Sequence, residues 1–426
     1  MLAATNDKHP FSTETDPGQA PVHVPLYAFY VANCISLVGD RLTMLAVPWF
    51  VLQTTGSIEQ TALTAAIATL PLILSSFFSG ILVDRLGYKR TSVLADIASC
   101  ACTLAIPLLY MLASLPFWLL LTFVFLGGLL KAPGEVARSS LLPELVREAR
   151  VPMERATSIS DGLSRLAGLL GAPLAALIMV WVSANNLLWL DAFSFAVSAI
   201  LIGLMVPRKL SRSHTAGANS GIHRYLAELR EGLQFIARDT LILSILMTVL
   251  ITNLLDSALF SVIYPVYVHT YFQSPWPLGA LIGVFGGAAF LGTLIYGAIG
   301  HRLPRRLTLG ISFTLGGGTR FLALAFFPFL PFLLVVQAVT GLAIGPINPL
   351  LMTLGYERIP EQMRSRVLGV IGAASLGGIP IGVLLSGYLV SWLGMQMALI
   401  IMGSIYLLVT LALLVNPALK KMERKS

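Results

Sequence analysis

The chain has 426 residues, of which 56% are hydrophobic and only 11% are charged, and its net charge is +8. Water-soluble domains carry about 25% charged residues, so this composition excludes such a domain and indicates an integral membrane protein. The 3 cysteines lie inside apolar stretches and the 6 histidines are scattered, so we predict no disulfide scaffold, no metal site and no cofactor.

Twelve apolar stretches dominate the chain, and each is long enough to cross a hydrocarbon core of about 30 Å. We number them as predicted spans 1 to 12 in chain order: 26–53, 60–83, 92–112, 116–136, 156–181, 186–206, 240–272, 277–299, 307–327, 330–352, 367–392 and 394–415. The sequence therefore predicts an all-α integral membrane protein with twelve transmembrane helices.

The turns between these spans alternate in their basic content. Turns after the odd-numbered spans contain no Lys or Arg, whereas turns after the even-numbered spans do, beginning with Arg85, Lys89 and Arg90. Because short loops rich in Lys and Arg stay in the cytoplasm, we predict that both termini are cytoplasmic and that the protein crosses the bacterial inner membrane repeatedly.

A basic surface is also typical of proteins that bind nucleic acid. Here the basic residues are divided among loops bounded by membrane spans. We therefore predict membrane lipids as partners and no nucleic acid.

Polar segments divide the chain into five parts. Residues 1–25 predict a disordered cytoplasmic tail, and residues 417–426 predict a basic cytoplasmic tail. A linker, 207–239, separates a bundle at 26–206 from a bundle at 240–416. After its polar stretch the linker has apolar residues at helical spacing, which predicts an amphipathic helix on the inner membrane surface.

The two bundles carry similar segments at matching places. A glycine-containing basic segment follows span 2 at 80–90, and a similar one follows span 8 at 297–306. When their first glycines are aligned, Arg85 falls on Arg302. Two similar halves of the same orientation are typical of transporters built from parallel repeats, so we predict two pseudo-symmetric six-helix bundles.

Residues 80–90, GILVDRLGYKR, resemble the loop motif G-x-L-x-D-R-x-G-R-[RK] of the major facilitator superfamily. Shorter stretches at 39–40, 140–145, 191–195 and 359–360 resemble the branch that holds macrolide exporters and the enterobactin exporter. The resemblance covers about 26–416 and implies the major facilitator fold. It also implies a monomeric secondary transporter that exchanges protons for a small-molecule substrate without a cofactor.

In that superfamily the loop motif latches the cytoplasmic ends of spans 2 and 11. The resemblance assigns this latch, with an imperfect copy in the second half, to Gly80, Asp84, Arg85, Gly87, Lys89 and Arg90, and to Gly297 and Arg302. We expect Gly80 to permit close helix approach, Gly87 a tight turn, and Asp84 hydrogen bonds with free N–H groups of a helix. Tyr88 departs from the motif, and His301 replaces its Asp in the second copy. The alternative is a generic basic turn that only sets topology.

Ionisable side chains at the bilayer centre cost roughly 2.5–3.5 kcal/mol on insertion scales, so each needs a partner or a function. Asp40, Arg41, Asp256 and Arg320 fall near the middle of their spans. We predict Asp256 as the proton-coupling residue because its neighbours carry no countercharge, with Asp40, beside Arg41, as second candidate. The alternative is that each carboxylate only neutralises a nearby Arg or Lys.

Arg320 has no carboxylate within one turn of its own helix. It is expected to pair with another helix, to face water or to meet an anionic substrate group. Lys131 and Glu135 lie four residues apart in span 4, which predicts a pair on one helix face.

Gly168, Gly171 and Pro173 in span 5 resemble a degraded form of the Gly/Pro motif of proton-driven exporters. Proline kinks a helix and glycines let neighbours approach, so the motif favours export, while plain helix contact is the alternative.

No nucleotide-binding G-x-x-x-x-G-K-[ST] motif and no catalytic constellation occurs in the sequence, so we predict a transporter and no enzyme. The predicted activity is proton-coupled efflux of an amphiphilic small molecule, such as a macrolide or a siderophore. The alternative is a symporter or flippase of the same fold for a lipid, a lysolipid or a metabolite. Intramembrane charges of both signs leave the charge of the substrate open.

Overall fold

The computed structural model describes residues 23–75, 78–112, 115–207 and 222–422, and the regular elements in these ranges are all helical. A backbone in hydrocarbon must satisfy its own hydrogen bonds, and an apolar helix does so within one segment. The helices are α1 (Val24–Thr55), α2 (Ile58–Ser75), α3 (Ser79–Leu86), α4 (Tyr88–Leu112), α5 (Phe117–Ala149), α6 (Met153–Trp181), α7 (Ala184–Met205), α8 (Ile222–Arg238), α9 (Thr240–Ala258), α10 (Tyr264–Tyr271), α11 (Trp276–Ile299), α12 (Arg305–Phe313), α13 (Thr319–Phe326), α14 (Leu330–Ile344), α15 (Ile347–Arg358), α16 (Glu361–Gly377), α17 (Ile379–Leu393) and α18 (Met395–Val415).

In the part of the chain that the structure describes, 11 helical segments are long and apolar enough to cross a membrane. They coincide with predicted spans 1 and 3–12, whereas span 2 corresponds to α2 and α3 on either side of residues 76–77, which lie outside the described residues. Helix α5 continues to Ala149, beyond the end of the apolar stretch of span 4 at 136. Charged residues end an apolar stretch without ending the hydrogen bonding of the helix.

The helices form two bundles, as predicted. In the first half α1 packs against α6 and α7, and α4 packs against α5 and α7. In the second half α11 packs against α14, and α18 packs against α9, α12 and α13. Helix α8 contacts α9 and α16, so it is attached to the second half.

The two halves meet on one side of the molecule. We call the side with the Lys- and Arg-rich turns the basic face, and the opposite side the neutral face. Near the neutral face α2 contacts α17, and α6 contacts α11. A Cβ built on Gly387 would lie 2.1 Å from the Cβ of Ala62, and one built on Gly283 would lie 2.4 Å from Cγ of Pro173. Small residues thus let the halves touch and close this face.

Among the described residues, two spans contain a π-helical turn, Leu259–Ile263 between α9 and α10 and Thr314–Gly318 between α12 and α13. The first lies just after Asp256 and the second just before Arg320. Because π turns are frequent at functional sites, this placement directs attention to these two residues.

Several predicted segments fall largely outside the described residues. Outside them lie residues 1–22 of the disordered tail predicted at 1–25, residues 208–221 of the linker predicted at 207–239, and residues 423–426 of the basic tail predicted at 417–426. Helix α1 begins at Val24, and the segment Pro417–Met422 forms a short 3-10 helix after α18.

Candidate transport cavity and its buried charges

A cavity of about 1180 Å³ lies between the two halves, on the side of the basic face. Helix α6 lines it from the first half, and α9, α11, α14–α16 and α18 line it from the second. It extends from Arg358, at the end of α15, to Asp256 and Tyr406 in the middle of their helices. Pockets for drug-sized ligands measure about 300–1,000 Å³, so this cavity can hold one such molecule.

Asp256 forms an ion pair with Arg320 at the deep end of the cavity. Nη2 of Arg320 donates to Oδ1 of Asp256 at 2.5 Å, and the Tyr406 hydroxyl donates to Oδ2 at 3.4 Å. The Arg320 side chain is fully buried, whereas the Asp256 side chain is 20% exposed and lines the cavity. A solute in the cavity can therefore reach the carboxylate but not the guanidinium.

Aromatic rings pack against the other side of the Arg320 guanidinium. Cζ of Arg320 lies 4.4 Å from the ring centroid of Phe285 and 5.8 Å from that of Phe260, both within reach of cation–π attraction. Nε and Nη1 of Arg320 have no hydrogen-bond partner among the described residues. The guanidinium thus binds one carboxylate and lies beside two rings and the Tyr264 hydroxyl, while Nε and Nη1 make no direct hydrogen bond to a described residue.

Asp256 has a countercharge, although its neighbours in sequence carry none. Arg320, 64 residues later in the chain, supplies the countercharge that the neighbours of Asp256 in sequence lack. Arg320 in turn pairs with another helix, which was one of its three expected environments. Pairing across helices depends on how each helix is rotated, and sequence neighbours do not report this rotation.

Asp40 also has a partner on another helix. Nζ of Lys131 on α5 lies 2.8 Å from Oδ2 of Asp40 and 3.4 Å from Oε1 of Glu135. The Lys131–Glu135 pair confirms the prediction from their four-residue spacing. The exposed fraction of the side chain is 15% for Asp40 and 31% for Lys131, so the Asp40–Lys131 pair is half-shielded from solvent.

A second buried network in the first half was not predicted. Asp96 on α4 forms an ion pair with Arg138 on α5, and Arg138 also donates to Ser36 of α1 at 3.2 Å. On α7, Asp191 accepts a hydrogen bond from Thr43 at 2.6 Å. Arg138 lies beyond the predicted end of span 4, where the sequence predicts an exposed loop residue, yet it is only 7% exposed. The network fastens α1, α4, α5 and α7 together.

The Gly/Pro motif lies where α6 meets other helices. A Cβ built on Gly171 would lie 2.3 Å from the Cβ of Arg41, so α6 and α1 are in close contact there, and Arg41 is exposed. Pro173 contacts Gly283 of α11 across the two halves, and Gly168 lines the cavity. The motif therefore borders the junction that closes the neutral face.

The latch residues of the first half lie at the junction of α3 and α4. Gly87 has a φ of +81°, as expected for a tight turn that favours glycine. A Cβ built on Gly80 would meet no heavy atom of another described helix within 4 Å, so the close approach expected there is not found. Asp84 and Arg85 are exposed in the last turn of α3.

Lys89 and Arg90 begin α4. Nζ of Lys89 donates to the carbonyl oxygen of Val206 at 2.5 Å, which ties α4 to the end of α7 within the same half, whereas Arg90 is exposed. In the second copy, Nε of Arg302 donates to Nε2 of His301 at 3.1 Å. A Cβ on Gly297 would meet no heavy atom of the described chain within 4 Å.

The chain matches a known family of membrane transporters over most of its length. The family model described as Major Facilitator Superfamily matches residues 29–255 and 246–426. The multidrug efflux pump Tap of Mycobacterium tuberculosis is 28% identical over 402 residues, which cover 94% of this chain and 95% of the relative. Macrolide efflux protein A of Streptococcus pyogenes is 21% identical over 409 residues, covering 94% of this chain and 97% of the relative.

Solved structures share the fold at low sequence identity. A mutant of the nucleoside transporter NupG has a TM-score of 0.76 at 12% identity, covering 92% of this chain and 100% of that one. A bacterial homologue of the human lysosomal transporter Spinster has a TM-score of 0.70 at 13% identity, covering 96% of this chain and 100% of that one. From the family match, the chain belongs to the Major Facilitator Superfamily, and it is a multi-pass membrane transporter of small molecules rather than an enzyme.

Proposed function

We propose that this transporter exports an amphiphilic small molecule from the cytoplasm in exchange for protons, by alternating access. The observation that carries the proposal is the carboxylate of Asp256, which lines the cavity while its partner Arg320 is fully buried. The two relatives are efflux proteins by name, one for multiple drugs and one for macrolides, and this supports export.

Asp256 couples proton entry to substrate export because the proton and the substrate compete for the same carboxylate. Ionised Asp256 neutralises Arg320 and also faces the cavity, where a cationic or hydrogen-bond-donating substrate can reach it. A proton on the same carboxylate removes its charge and weakens both contacts. Proton binding and substrate binding therefore oppose each other, as antiport requires.

The proton gradient suffices as an energy source. One proton that enters across roughly 150–200 mV supplies about 3.5–4.6 kcal/mol, at about 2.3 kcal/mol per 100 mV. A tenfold concentration ratio costs about 1.4 kcal/mol, so this energy maintains a ratio of roughly 300–2,000.

The lining of the cavity suits a molecule with large apolar surfaces and a few polar groups. Apolar side chains, chiefly leucine, isoleucine and phenylalanine, form most of it, and Asn253, Thr293, Asn348 and Ser375 add hydrogen-bonding groups. We infer a substrate of several hundred daltons, such as a macrolide or a siderophore, which meets both kinds of surface.

The proposal includes an orientation. The basic face is cytoplasmic, both termini are inside, and the protein resides in a bacterial inner membrane where anionic lipids contact its Lys- and Arg-rich turns. Asp40, paired with Lys131, is the second candidate for proton binding, in the first half.

The test uses inside-out vesicles that contain the protein and have an acidified lumen. They should accumulate ethidium or erythromycin as protons leave, and a protonophore should abolish this accumulation. Asp256→Asn keeps the size of the side chain but cannot titrate, so it should lose uphill accumulation and keep downhill exchange. Asp161→Asn is the matched control, because Asp161 lies 2.7 Å from Arg165 beside the cavity but is 63% exposed.

Two results would contradict the proposal. If the Asp40→Asn/Asp256→Asn double variant kept full protonophore-sensitive export, neither carboxylate would be needed for proton coupling. Entry of substrate together with protons, in the same direction, would identify a symporter of a lipid or metabolite instead.

A further inference from the structure

Two buried residues extend the polar cluster beyond the Asp256–Arg320 pair. Nε2 of Gln337 on α14 donates to the hydroxyl oxygen of Tyr264 on α10 at 2.5 Å. Gln337 is only 1% exposed and Tyr264 is fully buried. Phe260 connects them to the ion pair, since its ring centroid lies 5.8 Å from Cζ of Arg320 and 5.4 Å from the ring centroid of Tyr264.

The uncommitted atoms of this cluster are complementary. Among the described residues, Oε1 of Gln337 has no hydrogen-bond partner, and neither have Nε and Nη1 of Arg320. Buried polar groups are nearly always hydrogen-bonded in native proteins, and each one left unsatisfied destabilises the fold. One free acceptor and two free donors thus lie in a single buried cluster, and an arrangement in which they met would satisfy all three.

We propose that Gln337, oriented by Tyr264, is the alternate acceptor for Arg320, so that the guanidinium donates to Asp256 when this carboxylate is ionised and to Oε1 of Gln337 when it is protonated. Gln337 is then a positioning residue of the coupling site. This inference rests on the proposed proton coupling through Asp256. It adds the group that stabilises the buried Arg320 cation when Asp256 is protonated.

The physical reason is the stability of the buried cation. A proton on Asp256 removes the only carboxylate partner that Arg320 has among the described residues, and a buried charge without a partner is strongly unfavourable. The rings of Phe260 and Phe285 keep the guanidinium in place, but they accept no N–H hydrogen bond of full strength. An amide oxygen within the same cluster supplies that hydrogen bond.

The charged and titratable groups that face Asp256 come from few helices. Arg320 faces it from α13 and Tyr406 from α18, while Tyr264, after the π turn on its own span, lies beside Arg320. Helices α16 and α17 also pack against α9, and their described residues add no charged group at this carboxylate. A change in the proton affinity of Asp256 therefore reports on this small cluster.

The test measures protonation of Asp256 directly, without a substrate. Infrared spectra of the purified full-length protein are recorded between about pH 5 and pH 9, where buried carboxyl groups titrate. The carbonyl band of a protonated carboxyl group that disappears in Asp256→Asn belongs to Asp256, and its amplitude against pH gives a midpoint. In Gln337→Leu we expect this midpoint to fall by about one pH unit, a roughly tenfold loss of proton affinity.

Two further variants keep the test decisive. Gln337→Met also removes the acceptor and should shift the midpoint in the same direction, even if the leucine variant fails to fold. Thr340→Val removes a buried hydroxyl one turn away on α14 that donates only to the backbone carbonyl of Gln337, at 3.3 Å, so it leaves the Gln337 side chain in place and should not change the midpoint. If the midpoint is the same in both Gln337 variants and in wild type, the alternate acceptor is ruled out. If wild type has no Asp256-dependent band, the coupling site itself is ruled out.

Discussion

Ser391 on α17 donates a hydrogen bond to Glu59 on α2, and this bond joins the two halves at the neutral face. Ser57 donates to the other carboxylate oxygen of Glu59 at 2.8 Å. About one turn further along the same two helices, Gly387 lies against Ala62. The hydrogen bond and the close glycine contact close the same gap, which alternating access must open.

We predict that Gly387→Ala opens the neutral face. The new methyl group would lie 2.1 Å from the Cβ of Ala62, well inside van der Waals contact, so the two helices must separate. The population of the state closed at this face should fall about tenfold, if the strain is near 1.4 kcal/mol, and export should slow with it.

The measurement is labelling of a cysteine at position 66 by a membrane-impermeant maleimide from the neutral face. Ala66 is 1% exposed beside this junction, so Ala66→Cys should react slowly in the otherwise unchanged protein and faster with Gly387→Ala. Gly377→Ala is the control, because a Cβ there meets no described heavy atom within 4 Å. Equal labelling rates in the two glycine variants would contradict the prediction. The native cysteines at positions 34, 100 and 102 are replaced by alanine in all of them.

Lys131→Met should destabilise the first half by leaving Asp40 without its countercharge. Breaking a fully buried pair costs about 3–5 kcal/mol, and we expect about 2 kcal/mol here because Lys131 retains 31% exposure. Thermal unfolding of the purified protein in detergent measures the loss.

A double-mutant cycle separates pairing from other effects of this change. Asp40→Asn added to Lys131→Met should recover most of the stability, since the uncompensated charge is gone. Additive losses in the double variant would show that the 2.8 Å contact between Asp40 and Lys131 does not stabilise the fold.

The helices of this protein could be predicted well from sequence, because apolar length alone determines whether a segment can cross a membrane. Helix ends were less certain, as the extension of α5 to Ala149 illustrates. The two π turns were not predicted. Gly316, Gly317 and Gly318 fall in the second of them and were a possible signal, but glycine is common in membrane helices.

The site could be predicted only in part. Asp256 and Arg320 both stand out in the sequence because charge is costly in hydrocarbon, yet predicting that they pair requires the rotation and the neighbours of each helix. Gln337 gave no signal, since a lone glutamine in an apolar span carries no charge. Its importance emerges only from the unpartnered oxygen beside Tyr264.

Asp84→Asn should slow transport much more than Arg302→Ala. In this structure the cavity lies toward the basic face and Asp84 is exposed. We expect Asp84 to form its latch contacts when the basic face closes. Loss of hydrogen bonds to an ionised carboxylate costs about 1.5–3 kcal/mol, so we expect transport to fall by at least about tenfold. Arg302 bonds to His301 on an exposed turn, and its removal should change the rate less than about twofold.

Initial rates of ethidium export, normalised to the amount of inserted protein, measure this difference. Equal and severe losses in the two variants would contradict the asymmetry between the first latch and its second copy.

Asp239 caps helix α9, and we predict that its contribution to stability is lost in acid. Oδ1 accepts the N–H groups of Leu241 at 2.9 Å and Ile242 at 3.3 Å, and Oδ2 accepts Nε of Arg358 at 2.6 Å. Burial alone would raise the pKa of Asp239, but the hydrogen bonds from Arg358 and from the two backbone N–H groups outweigh it and lower the pKa below 3.8.

A carboxylate whose pKa is lowered by folding stabilises the protein above its unfolded pKa of about 3.9, and this stabilisation disappears as pH falls through the folded value. Asp239→Ala should therefore cost about 1–2 kcal/mol at neutral pH and progressively less below about pH 4. Asp239→Asn retains a capping oxygen but loses the charge, so an intermediate cost is expected. Thermal unfolding in detergent at several pH values gives these costs. Asp161→Ala is the control, because its exposed pair with Arg165 should contribute less than about 1 kcal/mol. A cost for Asp239→Ala that equals this control, or that stays constant into acid, would show that the capping carboxylate does not stabilise α9 as its geometry indicates.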